Sequence, residues 1–237
     1  MGNEEKMKGL HYLLGILASV ATILVILISS FEIAAYSDFG WYKKEYEKYN
    51  VQTRLEMEMS DIMEVTEEMM TYLRGDREDL VVYTTVNGEE REFFNAREKA
   101  HMEDVLELFL GGLLLRKIGV VLIVCSVGLI LVTKGDWRRI LPKSFLISTG
   151  TILGVTIVAG IAFATNFNKY FLIFHHMFFD NDLWLLDPKT DLMIRMLPEG
   201  FFADMVTRIG IIFLLMMGIV LLTSARTVIK KMNKKNL

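Results

Sequence analysis

Histidine is the one side chain that changes charge near neutral pH without help from its surroundings, and this sequence has four of them: His11, His101, His175 and His176. The last three lie in segments that adjoin long apolar runs, so two distant parts of the chain deliver imidazoles to a similar depth. Structural hydrogen bonding is the plain alternative. On a helix, Glu98 and Asp104 would flank His101 on one face. A carboxylate there either fixes the imidazole tautomer and stabilises imidazolium, or forms a surface ion pair of little worth. Other chemistries find little support. No Gly-x-Ser-x-Gly elbow supplies a nucleophile, and Cys125 sits inside an apolar run as a small hydrophobe. No His-Glu-x-x-His or paired-cysteine pattern marks zinc, and no phosphate-binding glycine loop is present. The expectation is therefore no metal and no cofactor. What remains is proton transfer by histidines while two groups of one substrate react with each other, and lipid esters lie at this depth.

Apolar segments must position these residues. Four approach or reach the roughly 20 residues that cross a bilayer: Tyr12 to Phe31, about Ile118 to Thr133, Phe145 to Phe167, and Ile209 to Thr223. The second and fourth gain length if Arg116, Lys117 and Arg208 snorkel. Lys6 and Lys8 precede the first span. Lys134, Arg138, Arg139 and Lys143 fill the loop after the second, and Arg226, Lys230, Lys231, Lys234 and Lys235 follow the fourth. With four crossings all three basic regions fall on one side, which the positive-inside rule makes cytoplasmic. A cleaved signal peptide fits poorly, because the first apolar core is long and Glu4 and Glu5 spoil a basic leader. No cysteine that could be lipidated follows that core, so the chain is not expected to be a lipoprotein itself.

The resulting expectation is an all-α membrane protein, a four-transmembrane-helix bundle with a small extracytoplasmic α+β cap containing a β-hairpin. Its segments are 1–34, cytoplasmic N-terminus and first span; 35–108, cap; 109–133, second span; and 134–144, cytoplasmic loop. Then come 145–167, third span; 168–204, an interfacial outer loop; 205–225, fourth span; and 226–237, cytoplasmic tail. Composition agrees, being 52% hydrophobic. The overall charge of −3 hides an acidic outer loop, with 19 acids against 9 bases between Asp38 and Glu107. No basic patch interleaved with aromatics points to nucleic acid, and no protein partner is inferred.

Within the cap, Val51, Leu55, Met59, Ile62, Met63, Val65, Met69 and Met70 recur at helical spacing over 51–73, and Gly75 supplies a stop. The methionine stripe serves packing or, alternatively, an adaptable acyl-chain surface. Leu80 to Val86, Asn87-Gly88 and Glu89 to Phe94 spell a hairpin. Asn95 with Glu98 then caps a helix expected to run unbroken into the second span. The aromatic-rich 168–204 segment predicts an interfacial anchor. Uncharged span centres argue against a transporter.

Three stretches together resemble the bacterial lipoprotein intramolecular transacylase (Lit) family of four-span membrane proteins. They are Arg97-Glu98-Lys-Ala-His101-Met-Glu-Asp104-Val105, Phe174-His175-His176-Met-Phe178-Phe179-Asp-Asn181-Asp-Leu-Trp184-Leu-Leu-Asp187-Pro188, and Leu197-Pro198-Glu199-Gly-Phe201-Phe202. The resemblance implies an acyltransferase of Gram-positive bacteria acting on diacylglyceryl lipoproteins at the outer leaflet. It moves the sn-2 acyl chain to the α-amino group of the N-terminal cysteine and leaves the lyso form. It also implies two catalytic histidines, here His101 and His175, with His176 as the alternative if the register shifts by one. Glu98 and Asp104 are candidate supports, and Asn181, Trp184 and Arg116 candidate substrate contacts. The competing expectation is a non-enzymatic sensor or assembly factor, for which His101 and His175 would lie apart and exposed.

Overall fold

The computed structural model describes residues 2–233, so Lys234 and Lys235 lie outside the described residues. In chain order the elements are α1 (Asn3–Tyr36), α2 (Phe39–Lys48), α3 (Val51–Leu55), α4 (Met59–Arg74), β1 (Tyr83–Val86), β2 (Glu89–Glu92) and α5 (Ala96–Val132). They continue with α6 (Trp137–Thr165), α7 (Phe167–Phe178), α8 (Met193–Met196) and α9 (Glu199–Asn233). Two compact units form. One gathers Met1–Phe31, Leu113–Thr165 and Ile209–Leu237, the other Glu32–Gly112 and Asn166–Arg208.

The first unit is apolar inside and out. Ile23, Ile26, Phe145 and Met217 are buried together, while Leu13, Val124, Leu215 and Ile219 are each more than 60% exposed. Such surfaces belong in hydrocarbon rather than water. Small residues let the helices approach closely. A Cβ on Gly15 would come within 2.5 Å of Ser144 Oγ, and one on Gly119 within 2.8 Å of a Val25 methyl. Among the described residues three helices are long and apolar enough to cross a membrane, within α1, α5 and α9. The 29-residue α6 carries Ser144, Ser148, Thr149 and Thr151 among its apolar residues. It ends at Thr165 because Asn166 starts a new helix, accepting a hydrogen bond from the Lys169 amide on its side chain.

In the second unit the hairpin forms as its sequence dictates. Val86 pairs with Glu89, and Asn87 and Gly88 both take positive φ (54° and 79°), the backbone a two-residue type I′ turn requires. The expected 51–73 helix is instead broken into α3 and α4. Glu56 adopts φ 57°, and its carbonyl accepts the Asn87 amide of the hairpin turn, a long-range bond that replaces helix continuation. Gly75, at φ 81°, ends α4 as expected. Met69 and Met70 are buried in the core with Tyr42, Tyr46, Phe93 and Phe94, so these methionines serve packing. Helix α2, not foreseen, enters that core through Tyr46, whose hydroxyl meets Thr66 Oγ1 at 2.8 Å. The helix expected to start at Asn95 does run unbroken to Val132.

Candidate active site

The start of α5 is built by a reciprocal cap. The Asn95 side chain accepts from the amides of Arg97 and Glu98, and Glu98 Oε2 accepts from the Asn95 amide at 2.8 Å. From there α5 presents one polar face to the 180–193 segment. Glu98 Oε1 accepts the Met193 amide at 2.6 Å at α8. Asn95 Nδ2 donates to Asp191 Oδ1 at 2.8 Å, and Asp191 Oδ2 also takes the Asp187 amide. Arg97 donates to the Asp182 carbonyl, and Asn181 Nδ2 donates to Asp104 Oδ2 at 2.8 Å. These ties cross a gap in sequence that no local rule spans.

The ties bring His101 and His175 together. Their ring centroids are 6.2 Å apart, and each residue is only 7% exposed. Helix α7 supplies His175 on its inward face. His175 Nδ1 lies 2.8 Å from the Phe171 carbonyl, one turn back, so it must carry the proton and donate, leaving Nε2 as a lone-pair base. Trp184 lies over the same ring at 4.8 Å, and its Nε1 donates to the Asn181 carbonyl. Phe171 and Phe179 complete an aromatic wall, with Phe179 edge-on to His101 at 5.4 Å. His101 Nδ1 is buried with no hydrogen-bond partner among the described residues. A buried unpaired acceptor is commoner than a buried unpaired N–H, which assigns the His101 proton to Nε2.

Both imidazoles are held neutral at neutral pH. Burial pushes His101 down to about 4, with the neighbouring His175 and Arg97 adding to the effect and Asp104 opposing it. Burial also lowers His175, partly offset by its bond to Phe171. Both residues precede or lie outside the apolar crossing stretches. His176 is exposed and meets Trp184 only edge-on at 5.0 Å. Glu98 spends both oxygens on Asn95 and Met193 rather than on His101, and burial raises its carboxyl. Asp104 serves Asn181. Arg116 is half-buried on α5 and belongs to the other unit. Arg208 stacks 4.8 Å over Trp41, as a structural residue would. Among the described residues no group of three or more His, Cys, Asp or Glu side chains is arranged to hold a metal. Asp182, Asp191 and the Phe171 carbonyl were not foreseen. The first two had only their turn-forming context as a signal, and a carbonyl has none.

Helices long and apolar enough to cross a membrane, and a second unit carrying a buried imidazole pair, define an integral membrane protein with a candidate acid/base site. The family model "Lipoprotein intramolecular transacylase Lit" matches residues 16–202, and the chain belongs to that family. It is an acyltransferase. No curated protein matches it. Solved structures of Lit from Bacillus cereus share its fold. One, at 21% identity and TM-score 0.78, covers 94% of this chain and 98% of its own. Two variants of that protein, with a histidine replaced by alanine or by arginine, each give a TM-score of 0.77 at 21% and 20% identity. They cover 97% and 98% of this chain, and 99% and 98% of their own.

Proposed function

We propose that the protein moves the sn-2 acyl chain of a diacylglyceryl lipoprotein to the α-amino group of its N-terminal cysteine, giving the lyso form, with no acyl-enzyme. The observation that carries this reading is the pair of buried imidazoles 6.2 Å apart, one whose Nδ1 is tied to the Phe171 carbonyl, turning Nε2 into the base, and one whose buried Nδ1 has no partner among the described residues, which favours the proton on Nε2. A sensor would need no such pair. The amine attacks the ester carbonyl carbon, forming C–N while the π pair moves to oxygen. Of the two protons on the resulting nitrogen, one passes to His175 Nε2 and then to the departing glyceryl oxygen as the C–O bond breaks. The other stays on the amide. The starting ammonium has already released its third proton to solvent. His101 Nε2–H donates to the oxyanion, and holding both groups of one molecule in attack geometry supplies much of the acceleration.

The same proposal sets four crossings, α6 included, with both termini cytoplasmic and the site at the outer leaflet. Its support lies in the first unit, where His11 meets Thr133 at 2.8 Å and Lys231 pairs with Asp136. The N-terminal flank, the loop after α5 and the tail therefore share one end, the end with the basic residues. The exposed Leu172, Ile173, Met177 and Phe178 of α7 suit an interfacial helix.

Mass spectrometry of lipoproteins from a bacterium without its own lyso-forming enzyme tests the function. Expression of this chain is expected to convert diacylglyceryl forms to lyso forms, and an N-acetylated cysteine substrate to stay unconverted. Unchanged lipoproteins in the first arm refute the proposal. The pH dependence is distinctive. An ordinary histidine protonates at about 6.5, but burial holds both of these lower, so kcat should persist below that value and be lost at a lower pH than an ordinary histidine would give. On the alkaline side, kcat/KM should rise as the substrate amine, at roughly 7.7–8.0, loses its proton. For stability the sign is the same. The unfolded histidines take up protons below about 6.5 while the folded ones resist, so stability is lost as pH falls below about 6.5, for His101 down to about 4, and is unaffected above it.

A further inference from the structure

We propose that Arg97 is a third member of the reacting site, its Nε–H donating to the ester carbonyl oxygen of the lipoprotein substrate as that oxygen becomes an oxyanion. The inference rests on the transacylase reading above.

Three observations converge on it. First, the guanidinium is held in place. One Nη2 donates to the Asp182 carbonyl and lies 3.4 Å from Asp182 Oδ1. Second, its Nε is buried and has no hydrogen-bond partner among the described residues. A buried donor on a charged group left unmade is costly, and such exceptions call for an explanation. A substrate acceptor supplies one. Third, Arg97 stands one helical turn before His101 on α5, a spacing that puts both on one face. Their proximity is also electrostatic, since the Arg97 charge helps keep His101 unprotonated.

The chemistry needs such a donor. When the amine nitrogen bonds to the carbonyl carbon, the displaced electron pair settles on oxygen. A neutral imidazole N–H is a modest donor for that charge, and a guanidinium N–H, being charge-assisted, is a stronger one. Collapse returns the pair to form C=O, and the C–O bond to the glyceryl sn-2 oxygen breaks as that oxygen receives its proton. Arg97 gains and loses no atoms. Lysine would keep the charge but lose the planar fork that lets one nitrogen bind Asp182 while another faces substrate. Asp182 is thus a positioning residue.

The test uses the full chain in detergent with a diacylglyceryl lipopeptide bearing a free N-terminal cysteine. Arg97→Lys and Arg97→Ala are each expected to lower kcat by about 10²–10³-fold with KM nearly unchanged, the range for loss of one oxyanion donor. Millimolar guanidinium should restore part of the Arg97→Ala activity, and ammonium at equal ionic strength none. Wild-type kcat in Arg97→Lys overturns the inference. So does a loss confined to KM, or a loss in Arg97→Ala that tracks a lowered Tm and no guanidinium rescues. His101→Ala and His175→Ala, run alongside, separate the two ideas. Their full activity defeats the histidine mechanism itself, whereas their inactivity beside an unimpaired Arg97→Lys defeats only this inference.

Discussion

His175→Ala is expected to lower kcat for lyso-form production by roughly 10²–10⁴-fold, the span typical of a positioned acid/base group. The size follows from what the ring does that nothing nearby replaces. Its Nδ1–H is anchored on the Phe171 carbonyl and Trp184 lies over its face, so Nε2 has one orientation. Alanine removes the only base so oriented among the described residues of this cluster. His101→Ala should fall in a similar range, and the double variant should be little worse than either single one, because residues acting as a unit are strongly non-additive. His176→Ala, which removes an exposed ring, should remain close to wild type. The measurement is initial rate by mass spectrometry of the N-acylated product. Full activity in His175→Ala alongside a dead His176→Ala would move the base to the neighbouring residue and overturn the tautomer argument.

Glu98→Ala is expected to be the most damaging single change to stability away from the imidazoles. Its side chain is fully buried, and its two oxygens accept the Asn95 and Met193 amides. Alanine strands both N–H groups, at about 1–3 kcal/mol each, and frees α8 from the start of α5. Thermal unfolding in detergent should show a Tm lower by several degrees, with kcat falling as well because the 180–193 segment carries Trp184 and Asn181. Glu98→Gln keeps one acceptor oxygen and should lose less. An unchanged Tm in Glu98→Ala would show that the ties through Asp191, Asp182 and Asn181 hold that segment unaided.

The two variants probe different links of one chain of cause. Glu98 acts on where the outer segment lies, and His175 on what happens once it lies there. Loss of the first should lower the temperature at which activity disappears. Loss of the second should lower activity at every temperature, including those far below the unfolding transition.

Sequence alone determined what depends on near neighbours along the chain. Run lengths of apolar residues gave the long helices, Asn87-Gly88 the turn with two positive φ angles, Asn95 and Glu98 the cap, and Gly75 the end of α4. Each works through backbone preferences acting within a few residues, so its signal survives in a linear reading. The tertiary structure decided the rest. The helical pattern of 51–73 gave no hint of the break at Glu56, because the amide that stabilises it comes from Asn87 in the hairpin. Glu98 looked suited to His101 by spacing, yet the Met193 amide claims its second oxygen. His175 and His176 are equivalent on paper, and only the packing of α7 against Trp184, Phe179 and His101 buries one and exposes the other. Arg97 stood in the family-like stretch with no role of its own, and it is Asp182, far along the chain, that fixes its guanidinium. In each case the deciding partner is distant in the chain, and its contribution exists only after the loop between them has closed.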